Sequence, residues 1–171
     1  MKSEIQYLKI LEKAIKGLEE SRTLLCTIDK NEKPNLMAIG WGNIGIIWGK
    51  PIFSILLRPS RYTYSLIEET GEFTINIVDD EYKEIVTYCG SISGRQEDKF
   101  QNTGLNMLKS KYVKVPIIKE SIINFECKVI AKIDLMPEFI NEKIRKQVYK
   151  SGDYHRIYLG EILNCWYGID H

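Results

Sequence analysis

The sequence has few of the residues on which metal and disulfide chemistry depends. Its only histidines are His155 and His171, and its four cysteines stand far apart without a Cys-x-x-Cys pair. A histidine-centred metal site needs more ligands than this, and single cysteines within apolar runs are typical of buried, reduced thiols. We therefore expect no metal centre and no disulfide, and the reduced cysteines indicate a cytoplasmic location.

The usual nucleotide and hydrolase motifs are absent as well. The chain has no Gly-x-Gly-x-x-Gly turn that leads from a strand into a helix, no Walker lysine loop and no Gly-x-Ser-x-Gly elbow, which argues against a Rossmann dinucleotide site and a serine hydrolase. The 24 basic and 23 acidic residues are mixed along the chain, so the net charge of +1 favours neither nucleic acid nor a membrane as a partner. No run approaches the length of a membrane span, and the N-terminus lacks a signal-peptide core.

The length and composition indicate one domain over residues 1–171, since 44% of the residues are hydrophobic. Ser3 and Gln6 form a proposed capping box, and apolar residues at helical spacing predict an amphipathic helix over residues 1–20. The pattern then predicts hairpins over 23–41 and 44–57, strands over 72–78, 122–135 and 154–166, short helices over 62–69 and 81–89, and irregular chain over 105–119. Strands outnumber helices, which favours a mostly antiparallel β-barrel with peripheral helices.

A cationic turn joins the second hairpin to the helix that follows it. Its residues are Arg58-Pro59-Ser60-Arg61-Tyr62-Thr63. An arginine presents a planar fork of donors that suits phosphate oxygens, and the hydroxyls of Ser60 and Thr63 can add donors at the start of a helix. The turn is therefore a candidate anion site. The alternative is that a hydroxyl caps the helix while the arginines are solvated.

Four other features each allow two interpretations. The stretch Met37–Gly42 contains two glycines, which indicates either a flat ligand surface or a bulge at a packed barrel corner. Asn76 lies in the middle of a strand, so its amide either bonds a neighbouring backbone or faces a polar ligand. Lys99 follows a polar glycine loop and is a candidate second cation for the anion. His155 is either an ordinary hydrogen-bonded side chain or a site residue.

Several short motifs combine into a pattern that resembles a known family. They are Asn35-Leu36-Met37, Arg58-Pro59-Ser60-Arg61-Tyr62-Thr63-Tyr64, Thr70-Gly71-Glu72-Phe73-Thr74-Ile75-Asn76, Tyr88-Cys89-Gly90, Ser93-Gly94-Arg95, Asp98-Lys99-Phe100 and Gly104-Leu105. In this order they resemble the flavin reductase-like family with the FMN-binding split barrel, in particular its flavoredoxin-like branch. The resemblance implies an antiparallel, Greek-key-like split β-barrel with peripheral α-helices. It also implies a homodimer that holds FMN near the subunit interface.

The resemblance further implies which residues bind FMN. The phosphate would be held by Arg58, Ser60, Arg61 and Thr63, with Lys99 as further charge. The ring would lie along Met37, Ala38, Ile39, Gly40, Trp41 and Gly42, and Tyr62, Ser93 and Gly94 complete the cofactor-binding set. Asn76 would bond the flavin or its ribityl side. Family members often carry serine or threonine where this chain has Ala38 and Gly40, so the ring would be bonded by the backbone.

A motif near the end of the chain supplies one candidate catalytic residue. Family members commonly show Gly-Asp-His, whereas this chain has Gly152-Asp153-Tyr154-His155 before Gly160-Glu161. Either Tyr154 or His155 takes the position of the family histidine, and His155 stays a candidate.

The family resemblance leads to an expected activity with two alternatives. We expect an FMN-dependent oxidoreductase in which NAD(P)H or a protein donor reduces the bound flavin and the electrons pass to an acceptor. One alternative is a non-enzymatic, flavoredoxin-type carrier that exchanges electrons with a redox protein partner. The other is a cofactor-free barrel that acts as an interaction module.

Overall fold

The structure, a computed structural model, describes the backbone of residues 4–168 and the side chains of residues 10–168. The proposed capping box lies outside the described residues, because it needs Ser3 and the side chain of Gln6. The described helices are α1 (Glu4–Glu19), α2 (Tyr62–Thr70), α3 (Lys83–Ser91), α4 (Lys99–Thr103) and α5 (Glu142–Val148). Between residues 4 and 168, no helix combines the length and the apolar character needed to cross a membrane.

The described strands form one large sheet and one small one. They are β1 (Thr23–Ile28), β2 (Pro34–Ile39), β3 (Gly42–Ile47), β4 (Lys50–Leu57), β5 (Glu72–Val78), β6 (Met107–Leu108), β7 (Ile117–Ile118), β8 (Ser121–Asp134) and β9 (Arg156–Tyr167). Seven strands pair in the order β2-β1-β5-β8-β9-β4-β3, and β6 pairs with β7. Every pair is antiparallel. The predicted antiparallel fold with peripheral helices is confirmed, although the sheet does not close and leaves β2 and β3 as its edges.

The main core lies on one face of the sheet, under α1. Phe73, Ile75 and Ile77 of β5 are fully buried there together with Ile10 and Ala14 of the helix. The apolar stripe of the N-terminal helix therefore packs on the sheet of its own chain, which accounts for its amphipathic pattern.

The opposite face of β5 is buried as well, contrary to the pattern of polar residues along it. Thr74 and Asn76 are inaccessible to solvent. The chain over residues 105–119 covers them, and Thr74 Oγ1 donates to the carbonyl oxygen of Pro116 across 2.7 Å. A strand whose polar side chains are all hydrogen-bonded can lie in the interior, which is why alternation alone did not reveal the second layer.

The cationic turn is positioned by the strand before it and the helix after it. Strand β4 ends at Leu57, and the N–H of Arg61 donates to the carbonyl oxygen of Arg58 across 3.0 Å, which reverses the chain. Helix α2 then buries Leu66 and Ile67 and ends at Thr70. It is capped by Gly71, whose φ of 68° lies in the left-handed region that glycine tolerates. The turn is thereby fixed beside β2.

Candidate functional site

Two adjoining cavities form one groove along strand β2. The polar cavity, of about 370 Å³, is lined by Met37, Ala38, the residues 60–63, the residues 89–96 and Lys99. The aromatic cavity, of about 160 Å³, is lined by Met37, Ala38, Ile39, Gly40, Trp41, Leu56, Arg58, Arg61 and His155. Met37, Ala38 and Arg61 line both cavities. The groove therefore brings together all the predicted binding residues except Gly42 and Asn76.

Strand β2 presents backbone groups to the groove because it is an edge of the sheet. The carbonyl oxygen of Leu36 accepts a hydrogen bond from Lys99 Nζ across 2.8 Å, so the peptide groups of Leu36 point away from β1. In an antiparallel edge strand the outward-facing peptide groups alternate, which places the N–H and C=O of Ala38 on the same outer side. Both are available to a ligand in the groove.

The two glycines near the end of β2 differ in their roles. A Cβ at Gly42 would lie 2.6 Å from the carbonyl oxygen of Ser54, so glycine is needed there for strand pairing with β4. A Cβ at Gly40 would meet only the carbonyl oxygen of Leu18, at 4.0 Å. The close approach of Ser54 accounts for a glycine at position 42, which lines neither cavity of the groove. Its assignment to the flavin ring stays a prediction. Gly40 is exposed and lines the aromatic cavity.

The two arginines of the turn serve different purposes. Arg58 donates to the carbonyl oxygens of Val148 and Asp153, across 3.0 and 3.3 Å, and its guanidinium lies 5.2 Å from the ring centre of Tyr149. It therefore holds the loop before β9 and lines the aromatic cavity and not the polar one. Its assignment to the phosphate stays a prediction. Arg61 lines both cavities. Within the described part of the chain, its side chain makes no hydrogen bond or ion pair, and its charge faces the groove.

The hydroxyls of the turn are already hydrogen-bonded within the protein. Ser60 Oγ donates to Asp153 Oδ2 across 2.6 Å, and the N–H of Ser60 lies 3.3 Å from Asp153 Oδ1. Thr63 is buried, and its Oγ1 accepts from Asn35 Nδ2 across 3.0 Å. Neither hydroxyl caps α2, whose N-cap residue is Arg61 without a side-chain cap. The capping interpretation is wrong. The Ser60 hydroxyl already donates to Asp153, whereas the Thr63 hydroxyl only accepts from Asn35 and keeps its own proton as a donor beside the polar cavity.

Lys99 is a buried cation beneath the polar cavity. Its side chain is only 5% exposed, and Nζ donates to the carbonyl oxygens of Leu36 and Cys89 across 2.8 and 2.6 Å. Burial lowers the pKa of the ammonium, and the positive charge of Arg61 adds to this effect. Two of its three protons are used by the backbone, so Lys99 acts on the cavity mainly through its charge.

The loop after α3 closes the polar cavity on the side of Tyr62. A Cβ at Gly94 would lie 1.8 Å from Asn35 Oδ1 and 3.2 Å from Tyr62 Cδ1, so only glycine fits there. The guanidinium of Arg95 lies 5.0 Å from the ring centre of Tyr62 and adds a further positive charge. Arg95 was not predicted as a site residue, although it belongs to the Ser-Gly-Arg motif. Ser93 lines the cavity as predicted.

Asn76 lies outside the groove, so the structure does not bring it together with the other predicted binding residues. Its Nδ2 lies 3.4 Å from the carbonyl oxygen of Leu24 and 3.0 Å from Thr74 Oγ1. Its Oδ1 accepts from the N–H of Ile118 and from Asn124 Nδ2, across 2.9 and 2.7 Å. The amide therefore ties β5 to the covering segment, as the backbone-bonding interpretation requires.

His155 lies at the aromatic end of the groove. It is 7% exposed, its ring centre is 5.1 Å from that of Trp41, and its Nδ1 is 2.7 Å from the hydroxyl of Tyr149. Burial and the charge of Arg58 lower the pKa of the imidazole to about 4, so it is neutral at physiological pH. Tyr154 lines neither cavity and stacks on Tyr149, so His155 is the residue of this pair that reaches the groove.

Comparison with known proteins identifies the family. The family model described as "Flavin reductase like domain" matches residues 18–170. The chain belongs to the flavin reductase-like family. A curated relative, an uncharacterised protein of Archaeoglobus fulgidus, is 34% identical over 137 residues, which cover 80% of this chain and 67% of that protein.

Solved structures of flavin reductase-like proteins share the fold. The flavoredoxin of Desulfovibrio vulgaris is 30% identical with a TM-score of 0.69, over 85% of this chain and 68% of that one. The flavoredoxin of Methanosarcina acetivorans is 27% identical with a TM-score of 0.67, over 85% and 67% of the two chains. A protein with a split barrel domain from Shewanella frigidimarina superposes with a TM-score of 0.70 at 20% identity, over 98% and 80%. The flavin reductase-like chain therefore has the split-barrel architecture.

Proposed function

We propose that this chain binds FMN in the groove along β2 and acts as an FMN-dependent oxidoreductase. One observation carries the proposal: the groove joins an arginine without a protein partner among the described residues, Arg61, to a narrow cavity beside Trp41 and the edge of β2. An anionic group at one end and a flat ring at the other would complement these features. Family membership and similarity to two flavoredoxins support the proposal.

The donors in the groove fit the two ends of FMN. At the polar end, Arg61 and Arg95 would bind the phosphate, and the buried charge of Lys99 would add attraction from below. At the aromatic end, the outward N–H and C=O of Ala38 would bond the polar edge of the ring. These groups are fixed by the sheet and need no side-chain hydroxyl, so the alanine at position 38 is compatible with ring binding.

The chain's own contribution to the reaction is binding and orientation. When bound, FMN supplies the chemistry of accepting and passing on a hydride or electrons. The positive groups Arg61 and Lys99 would stabilise negative charge in the groove, since a low local dielectric strengthens their field. Trp41 and His155 narrow the aromatic cavity and would restrict water at that end.

We propose further that the chain forms a homodimer over an apolar surface next to the groove. This surface surrounds a cavity of about 520 Å³ lined by Gly40, Trp41, Gly42, Asn43, Ile47, Ser54, Leu56, Ile133, Ile157 and Leu159. Trp41 and Ile133 are each about half exposed. Because Gly40, Trp41 and Leu56 also line the aromatic cavity, a second copy on this surface would lie over the ring end of the groove.

Light scattering tests the dimer. Wild-type protein is expected to have the mass of two chains, and Ile133→Lys the mass of one. Ile144→Lys is the matched control, because Ile144 is about half exposed on α5 and does not line the apolar surface. A wild-type mass of one chain would contradict the dimer.

An anaerobic titration tests the function. The protein is reconstituted with FMN, its visible spectrum is recorded, and NADH or NADPH is then added without oxygen. Bound flavin that either nucleotide bleaches supports the oxidoreductase. Failure to retain FMN would refute flavin binding.

A carrier that exchanges electrons with a redox protein partner is the second candidate, and the similarity to two flavoredoxins favours it. Bound flavin that dithionite reduces, but neither nucleotide does, would assign the chain to this class.

A further inference from the structure

We infer that Tyr149 fixes the proton of His155 on Nε2, so that this side chain presents a neutral N–H donor to the aromatic cavity. The ligand it would select there has a hydrogen-bond acceptor, a carbonyl oxygen or an unprotonated ring nitrogen, at the end of a flat ring. The part about the ligand rests on the proposed flavin site. The part about the proton rests on the protein alone.

The two ring nitrogens of His155 have different surroundings. Nδ1 lies 2.7 Å from the hydroxyl oxygen of Tyr149. Nε2 makes no hydrogen bond with the described part of the chain, and it is not among the buried atoms shut off from solvent without a partner. Since His155 is only 7% exposed and lines the aromatic cavity, the accessible nitrogen Nε2 opens into that cavity.

We assign the donor in the hydrogen bond between Tyr149 and His155 to the Tyr149 hydroxyl. Burial raises the pKa of Tyr149, although the charge of Arg58 and the backbone N–H of His155 oppose the shift, so the phenol keeps its proton. Among the described residues, Nδ1 is the one acceptor that this hydroxyl meets, and a buried phenol proton without an acceptor would cost free energy. Its own proton is then left for Nδ1, and a neutral imidazole that accepts at Nδ1 carries its proton at Nε2.

Tyr149 is itself held in place from both sides. The guanidinium of Arg58 lies 5.2 Å from the Tyr149 ring centre, and the ring of Tyr154 stacks on it at 4.8 Å. Arg58 also bonds the carbonyl oxygens of Val148 and Asp153, on either side of the tyrosine. Tyr149 is therefore a positioning residue for His155, and Arg58 holds Tyr149 in place.

The charges around His155 favour its neutral form. Arg58 and Arg61 face it from the cationic turn, and Asp153 precedes it in the loop, with an opposing effect. A neutral donor attracts an acceptor atom without attracting an anion, which distinguishes this end of the groove from the polar cavity. If the proton were on Nδ1, Nε2 would be an acceptor. The cavity would then select a ligand atom that donates a hydrogen bond.

Long-range proton–nitrogen NMR of the full chain without cofactor tests the proton's location at pH 7. His155→Gln identifies the His155 signals, because the chain has only two histidines. The wild-type protein and Tyr154→Phe are expected to show a protonated Nε2 and an unprotonated Nδ1. Tyr149→Phe is expected to show a mixture of both forms. A protonated Nδ1 in the wild-type protein would overturn the inference, and this result needs no variant to fold.

Binding of FMN and riboflavin tests the part about the ligand. Tyr149→Phe is expected to weaken both by the same factor, about twofold to fivefold, because only part of its His155 population then carries the Nε2 proton that donates to the ring. Tyr154→Phe keeps the stacked ring and is expected to bind as the wild type does. Equal binding by the two variants would overturn the ligand assignment. Absence of any FMN binding by the wild type would refute the proposed function but leave the NMR result standing.

Discussion

The hydroxyl of Ser60 donates to a carboxylate oxygen of Asp153 across 2.6 Å, which places a negative charge at the rim of the polar cavity. Asp153 adopts a left-handed backbone with φ of 55°, a conformation that aspartate and asparagine tolerate better than most residues. The carboxylate thus occupies donors of Ser60 that a phosphate would otherwise use.

Asp153→Asn is expected to tighten FMN binding by about threefold to tenfold at low ionic strength, because one like charge near the phosphate is removed. Riboflavin binding is expected to change little, since riboflavin carries no phosphate. Flavin fluorescence titrations at low and high salt measure both effects. A gain of the same size for riboflavin would show that the carboxylate does not act through the phosphate.

Arg61→Gln is expected to weaken FMN binding by about tenfold to a hundredfold and to leave riboflavin within about twofold, because a charge-assisted contact with the phosphate is lost. The same titrations with both flavins provide the measurement. An equal loss for the two ligands would contradict the phosphate assignment.

Arg58→Gln is the matched comparison, since the structure gives this arginine to the loop before β9. It is expected to weaken FMN and riboflavin alike. It is also expected to lower the free energy of unfolding by about 1–3 kcal/mol, because the carbonyl oxygens of Val148 and Asp153 lose a charged donor. Urea denaturation measures this change. If the variant weakened the binding of FMN but not of riboflavin, Arg58 would be assigned to the phosphate site.

Local patterns predicted the elements well where one segment decides its own conformation. Strand β5 was predicted over the residues 72–78 that it occupies, and α2 was predicted to within one residue of its observed end. The cationic turn and its position between these elements also followed from local sequence. Arg61 lies in the groove, as its place in the turn indicates, because an exposed side chain needs no distant partner.

The contacts that local sequence did not indicate join distant segments of the chain. Arg58 is bound by carbonyl oxygens 90 and 95 positions later, and Asn76 is bonded 42 and 48 positions later. No local pattern indicates such partners. The sequence did not indicate the role of Tyr149 beside His155, because a tyrosine after a short charged helix has no distinctive spacing.

Gly94→Ala is expected to lower the free energy of unfolding by about 1–3 kcal/mol, because its Cβ would overlap Asn35 Oδ1 and strain the bond from Asn35 to Thr63. Gly45→Ala is the control, since nothing lies within 4 Å of its Cβ position. It is expected to be nearly neutral. Thermal and urea unfolding compare the two. Equal stability of both variants would mean that the loop moves freely to admit the methyl group.

His155 is expected to make stability depend on pH. Its pKa is about 4 in the folded chain, below its usual 6.5, so unfolding takes up a proton between these values. The stabilising contribution is complete above pH 6.5 and is lost as the pH falls towards 4, by about 2 kcal/mol when solvent in the groove is considered. Denaturant unfolding of the wild type and His155→Gln measures the difference. Parallel pH profiles for the two proteins would contradict it.

Strand β2 forms an open edge of the sheet, with α4 bonded to it at Leu36 and the groove beside Ala38. Open strand edges pair readily with strands of other molecules. A flat cofactor lying along Ala38 would cover this edge, so loading would protect the chain from aggregation as well as equip it for redox chemistry.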